Sequence, residues 1–182
     1  MNRAIKFKLK NGKTVTIRRI RGADYDANMK YLYTFARDPG AIWTNQYPKK
    51  PANDKEKSTT MYDDPNTLLI GAWDGNNIIG TAIAIKTRPN HPYHMGTSAG
   101  IGVGMLHKYT HNGLGTKMLQ ILEKWARENG VMTLRAEIRH LNTPSIANAL
   151  KAGFLITGIN HNVVKINNKW MHEYIIEKDL TK

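Results

Sequence analysis

The chain has 182 residues, 41% of them hydrophobic and 23% charged, the make-up of one globular domain with a substantial core. It contains no cysteine, which excludes disulfides, thiolate metal sites and a cysteine nucleophile. Lys and Arg number 27 against 14 Asp and Glu, a formal charge of +13 that attracts polyanions such as nucleic acid, acidic protein or a multiply phosphorylated cofactor.

The basic excess is heaviest at the start, where Arg3, Lys6, Lys8, Lys10, Lys13, Arg18, Arg19 and Arg21 precede the first acid, Asp24. The rest is scattered, unlike the dense tails of nucleic-acid arms. The opening residues hold no apolar core of signal-peptide length, and no apolar run approaches the ~20 residues that span a bilayer. The expectation is a cytoplasmic protein.

IKFKLK and TVTIRRI read as a hairpin about Asn11-Gly12. Asp24 is expected to cap a helix reaching about Arg37, in which Tyr25, Met29, Leu32, Tyr33 and Ala36 recur at helical spacing and which Asp38-Pro39-Gly40 ends. Residues 41–66 are polar and proline-broken. They are expected to form a mobile loop that either closes over a substrate or simply connects, with a short helix near Lys55–Tyr62. TLLIGAWDGNNIIGTAIAIK places two apolar strands around Asp74-Gly75-Asn76, a strong hairpin signal. His94–Met105 reads as a strand weakened by glycine. Gly113–Asn129 is the clearest helix, with Leu114, Met118, Ile121, Leu122 and Trp125 on one stripe and Gly130 at its end. TLRAEIRH is a strand. Thr143-Pro144 starts a helix over about 144–151, the threonine hydroxyl as cap and proline in the first turn, stopped by Gly153. The last stretch reads as two strands around Asn167-Asn168. The order predicts an α/β chain of the α+β kind, a mixed sheet covered by helices, with residues 1–182 forming a single domain.

The glycines in AGIGVGMLHKYTHNGLGT, residues 99–116, carry the first functional signal. Gly100, Gly102 and Gly104 alternate, so one face of that strand is nearly bare and backbone or ligand can lie against it. His111-Asn112-Gly113-Leu114-Gly115-Thr116 stands where strand becomes helix. The first amides of a helix lack intrahelical partners and the helix dipole favours an anion there. The spacing is neither a Walker loop nor a dinucleotide fingerprint. Packing alone would also account for a GLG turn.

AGIGVGMLHKYTHNGLGTKML resembles the acetyl-CoA-binding motif of the GNAT (Gcn5-related) N-acetyltransferases: a strand, an R/Q-x-x-G-x-G/A turn and a long helix. LRAEIRHLNTPSIANALKAGFLITG is similar to the family's next strand, then N-x-x-[AS]-I, then K-x-G-F. Together the motifs cover about residues 95–160, and the ribosomal-protein-acetyltransferase branch is the nearest in character. The resemblance implies the GNAT acyl-CoA N-acyltransferase fold, a central mixed sheet splayed open between the strands near 95–105 and 133–140, with helices on both faces. It also implies acetyl-CoA as cosubstrate. The backbone around Val103 and Met105 would meet pantetheine, and the amides of Thr110, His111, Asn112, Gly113, Leu114, Gly115 and Thr116 would hold the pyrophosphate. Asn142 would hydrogen-bond near the thioester, and Lys151 would meet the 3′-phosphate end.

The pattern departs from the family at informative places. The usual Arg or Gln opening the phosphate turn is Thr110, and the next glycine is His111. The Glu that many members carry as general base on the first splayed strand reads Gly100, and the Tyr that serves many as general acid reads Ala149. Acetyl transfer to an amine still requires a bound thioester, a neutral amine and a proton for the departing thiolate. Ser145 resembles the hydroxyl that some members place near the sulfur; a serine in a helix's first turn also bonds local backbone. Glu137 suits a base or an ammonium-binding group, although alternation groups it with Arg135 and Arg139 as a surface ion pair. His94, His107, His111 and His172 are further bases by type. His91 and His94 have no partnered carboxylate and no metal-ligand spacing occurs, so no metal is expected. Trp43, Tyr47 and Tyr93 would border the acceptor, near the final hairpin about 160–170. The acceptor itself, a primary amine on a small molecule, a protein N-terminus or a lysine, is not legible. Family members are often dimers through edge strands or the last hairpin. Two other readings remain open: a CoA-binding protein of this fold without catalysis, and a basic nucleic-acid-binding module, for which no reader motif is present.

Overall fold

The computed structural model describes residues 3–39, 55–87, 96–166 and 168–181. Trp43, Tyr47, His91, Tyr93, His94 and Asn167 lie outside them, as does most of the loop expected after Gly40. The described residues form β1 (Ile5–Lys8), β2 (Thr14–Arg19), α1 (Tyr25–Phe35), α2 (Lys55–Asp63), β3 (Thr67–Asp74), β4 (Asn77–Lys86), β5 (Ser98–Met105), α3 (Leu114–Glu128), β6 (Thr133–Arg139), α4 (Thr143–Lys151), β7 (Leu155–Ile166) and β8 (Lys169–Asp179). The strands make one sheet in the order β1-β2-β3-β4-β5-β6-β8-β7. Neighbours run antiparallel except β5 and β6, which are parallel.

β3 is buried along almost its whole length, so its apolar run TLLIGAW matches a strand covered on both faces. It pairs with β4 across the expected turn, Asp74 opposite Asn77. The two faces are told apart by alternation in β5. A Cβ on Gly104 would lie 3.1 Å from Phe35 of α1, whereas the side chain of the next residue, Met105, reaches Gly115 of α3. Helices therefore cover both faces, with α1 on one and α3 on the other. The α3 stripe is as the spacing predicts: Leu114, Met118, Ile121, Leu122 and Trp125 are all buried. Among the described residues no helix is long and apolar enough to cross a membrane.

Two helix caps differ from expectation. Asp24 stands at the N-cap of α1, but its carboxylate makes no cap bond. It accepts two hydrogen bonds from Arg18, both 2.8 Å, and one from the Arg21 amide, because a bidentate guanidinium outcompetes a neutral helix amide. The α4 cap is Asn142, not Thr143; its Oδ1 accepts the Ser145 amide at 3.4 Å and Pro144 follows in the first turn. An amide side chain one residue earlier reaches the first-turn donors, and Thr143 is drawn into the helix. The expected strand His94–Met105 is described only from Ser98.

Candidate active site

β5 and β6 stay together for only three residue pairs, Ser98–Thr133, Ala99–Leu134 and Gly100–Arg135. Beyond Gly100, β5 remains paired with β4 to Met105, and β6 remains paired with β8 to Arg139. The sheet thus opens into a cleft of about 490 Å³. Its walls are Ile101, Gly102 and Val103 from β5, Ala136 to Arg139 from β6, Glu173 from β8, Asn142 at the cap of α4, and Ser145, Asn148 and Ala149 from α4. The strand edges facing each other there offer amide donors and carbonyl acceptors to an extended ligand.

At the wide end lies the Gly-rich turn. His111 (φ +60°) and Gly113 (φ +80°) are both left-handed, the first in a position where the family has glycine. Thr110 donates its hydroxyl to the His107 carbonyl at 2.7 Å, and Asn112 Nδ2 donates to the Thr110 carbonyl at 2.9 Å. Gly113 is the N-cap of α3, and the first intrahelical bond runs from the Lys117 amide to its carbonyl at 3.0 Å. The amides of Leu114, Gly115 and Thr116 precede that bond and are available to an anion. The Leu114 side chain is in the core, so only its amide can serve. A Cβ on Gly115 would sit 2.9 Å from Met105 Cε, so glycine keeps the turn close to the end of β5.

Two hairpin turns brace this loop, which the sequence did not suggest. The Asn112 carbonyl accepts the Lys10 amide at 3.3 Å and its side-chain oxygen accepts the Asn11 amide at 3.2 Å. Tyr109 donates its hydroxyl to Asp74 at 2.7 Å, and burial with that carboxylate pushes the phenol up to about 12. Thr116 Oγ1 donates to Asn148 at 2.7 Å, tying the start of α3 to α4 across the cleft. Lys151 lies exposed, one turn beyond Asn148 on the same side of α4, and does not line the cleft.

Ser145 and Glu137 do line it. Glu137 is 46% exposed and stands 3.7 Å from Arg135 Nε, the ion pair that alternation predicts. A Cβ on Gly100 would meet nothing within 4 Å, and Ala149 is buried in the wall. The two departures therefore leave room rather than replacement chemistry. The His172 ring is engaged elsewhere. The His172 ring accepts the Asn162 amide at 3.2 Å and lies 5.1 Å from the rings of both His140 and His161. The His107 amide donates to Asp38 at 3.0 Å. Among the described residues no group of three or more His, Asp or Glu is arranged to hold a metal. Sequence reasoning missed Arg139, whose guanidinium pairs with Glu173 and is lowered from its ordinary value by burial. Its signal was present in TLRAEIRH, where charged residues alternate along a strand that the fold places centrally.

The splayed mixed sheet thus holds an extended cleft between β5 and β6, with free helix amides at the start of α3 beyond the far end of β5. The model of the acetyltransferase (GNAT) family matches residues 30–154. The chain belongs to that family, whose members are acetyl-CoA-dependent N-acetyltransferases. A comparison with curated protein sequences gives no match. Among solved structures, an N-acetyltransferase from Staphylococcus aureus Mu50 is similar with a TM-score of 0.75 and 20% identity, over 92% of this chain and 99% of that one. A putative acetyltransferase, yncA, from Salmonella typhimurium, solved with its cofactor acetyl-CoA, is similar with a TM-score of 0.73 and 18% identity, over 93% and 96%. A ribosomal-protein-alanine N-acetyltransferase from Brucella melitensis has a TM-score of 0.72 and 24% identity, over 90% and 99%.

Proposed function

We propose that the chain, as one domain, transfers the acetyl group of acetyl-CoA directly to a primary amine. The observation that carries this is the release of β5 from β6 after Gly100, which opens a cleft lined by Ser145 and Glu137, whose Asn148 wall is joined to the start of α3 through Thr116. The residues present fit the cosubstrate. The amides of Leu114, Gly115 and Thr116 suit a multiply charged group and no carboxylate side chain lies in 110–116, whereas the Thr110 amide is already given to the His107 carbonyl at 3.0 Å. The edge around Val103 and Met105 suits the amide-bearing pantetheine arm, Asn142 suits the thioester end and Lys151 the 3′-phosphate end.

Glu137 is the base in this reading. It takes the ammonium proton, directly or through water, and so frees the nitrogen lone pair. The cleft then aligns amine and thioester, and the C–N bond forms as the C–S bond breaks. The hydroxyl of Ser145 donates a proton to the departing thiolate and is reprotonated from solvent, while the second amine proton leaves to water and Glu137 returns its own to solvent. Products are an amide and the free thiol. One solved neighbour is named a ribosomal-protein-alanine N-acetyltransferase and another a putative phosphinothricin N-acetyltransferase, consistent with either protein or small-molecule acceptors.

Calorimetric titration with acetyl-CoA and CoA tests the cofactor half. Micromolar binding is expected, and Gly115→Glu, which places a carboxylate where the pyrophosphate would lie, should abolish it. Undetectable binding to the wild type would refute the assignment. Gly100 and Ala149 favour one second reading, a protein that holds CoA without catalysis. Cofactor binding with no amine-dependent thiol release across a broad acceptor panel would establish it.

A further inference from the structure

Arg139 ends β6 at the wall of the cleft. Its side chain is 10% exposed and pairs with Glu173 of β8, itself 17% exposed. That pair leaves the guanidinium incomplete: Nε is fully buried and has no hydrogen-bond partner. An unmet donor on a buried cation is costly, so in a cleft wall it points to an oxygen that arrives with a ligand.

The two faces of the sheet tell which ligand. Met105 turns toward Gly115 and the anion-binding turn, and Ile101 and Val103 share its side by alternation. Gly100, Gly102 and Gly104 take the other side, where α1 meets Gly104. Gly100 stands in register with Arg135, so Arg135, Glu137 and Arg139 lie on that side too, across the sheet from the phosphate turn. An oxygen reaching Arg139 from there belongs to the acceptor rather than to acetyl-CoA. Glu137 precedes Arg139 by two residues, about 7 Å along the strand, and on the same face. Gly100, in register with Arg135 two residues before Glu137, leaves open space on that face. A carboxylate and a buried N–H at this spacing match an amine and an oxygen carried on neighbouring carbons.

We infer that the cleft selects α-amino-acyl acceptors, in which the primary amine is one carbon from a carbonyl or carboxylate, with Arg139 Nε–H holding that oxygen and Glu137 facing the amine. The inference rests on the transferase reading above. Free amino acids and peptide N-termini share this chemistry; a lysine side chain lacks it.

The test follows thiol release with L-amino acids, the matching tripeptides, the matching decarboxylated amines, and Nα-acetyl-lysine, after acetyl-CoA binding has been measured by calorimetry. The α-amino-acyl acceptors should exceed the other amines in kcat/KM by at least about tenfold, the value of one charge-assisted hydrogen bond. Preference for the amino acid would assign the oxygen to a carboxylate, and preference for the tripeptide to a peptide carbonyl. Arg139→Gln should erase the preference by raising KM, with acetyl-CoA affinity unchanged. Should that variant unfold, Arg139→Gln with Glu173→Gln removes both charges and should show the same loss, and the wild-type panel decides without either. Equal rates across the panel overturn the inference and leave the transferase reading standing. No thiol release with any amine, despite acetyl-CoA binding, overturns both.

Discussion

Arg18 overrules a local signal at the start of α1. It grips Asp24 with two 2.8 Å hydrogen bonds and lies 4.0 Å above the Trp73 ring, so strand, helix start and core aromatic are held by one side chain. The hydrogen bonds from Arg18 lower the Asp24 carboxyl from its ordinary value. A carboxyl lowered in the folded state stabilises the fold fully above the ordinary carboxylate range. That stability is lost as the pH falls through the lowered folded value. Asp24→Asn should therefore cost about 1–3 kcal/mol near neutrality in a denaturant titration and flatten the acid limb of the stability profile. An unchanged acid limb would assign that limb to other carboxylates.

Elements differ in how plainly the sequence announces them. α3 and the hairpin about Asp74-Gly75-Asn76 are legible because their signals are local and periodic, and the structure returns the α3 stripe residue for residue. Leu122, fully buried on that stripe, should cost about 2–5 kcal/mol as Leu122→Ala, read from the urea midpoint at unchanged slope. Asp24 is the N-cap that the sequence predicts, but its missing cap bond, and the shift of the α4 cap from Thr143 to Asn142, are not legible because the competing partners, Arg18 on β2 and Asn142 one residue earlier, are decided by three-dimensional reach. The cleft was legible through family resemblance, not through periodicity: nothing in the apolar pattern says that β5 and β6 part after Gly100. Alternation alone reads Arg139 as surface, because its partner Glu173 comes from β8 and burial of a charged pair needs the sheet order to be known.

At the scale of the molecule, the charge of +13 sets the approach of a polyanion before any contact is made. Association with acetyl-CoA should slow as ionic strength rises, because the Debye length shrinks from about 30 Å at 0.01 M to about 8 Å at 0.15 M. Stopped-flow rates at the two salt levels check this; a salt-independent rate would confine the attraction to the turn itself. The distribution of sign also matters, since Glu137, Glu173 and Glu177 gather with Arg135 and Arg139 on one sheet face, giving that floor a local balance unlike the whole.

The three-pair junction between β5 and β6 makes the sheet a book with a short spine, β1 to β5 forming one cover and β6, β8 and β7 the other. At the split each cover keeps its own pairing, β5 to β4 and β6 to β8, so the covers can breathe against one another without breaking a strand. Amide hydrogen exchange should show the facing edges, Ile101–Met105 and Ala136–Arg139, exchanging faster than the β3–β4 ladder in the free protein. A pantetheine arm bound between them would act as the missing strand, and acetyl-CoA should slow both edges together. Protection confined to one edge would mean that the ligand lies against a single cover, and that the book is read without being closed.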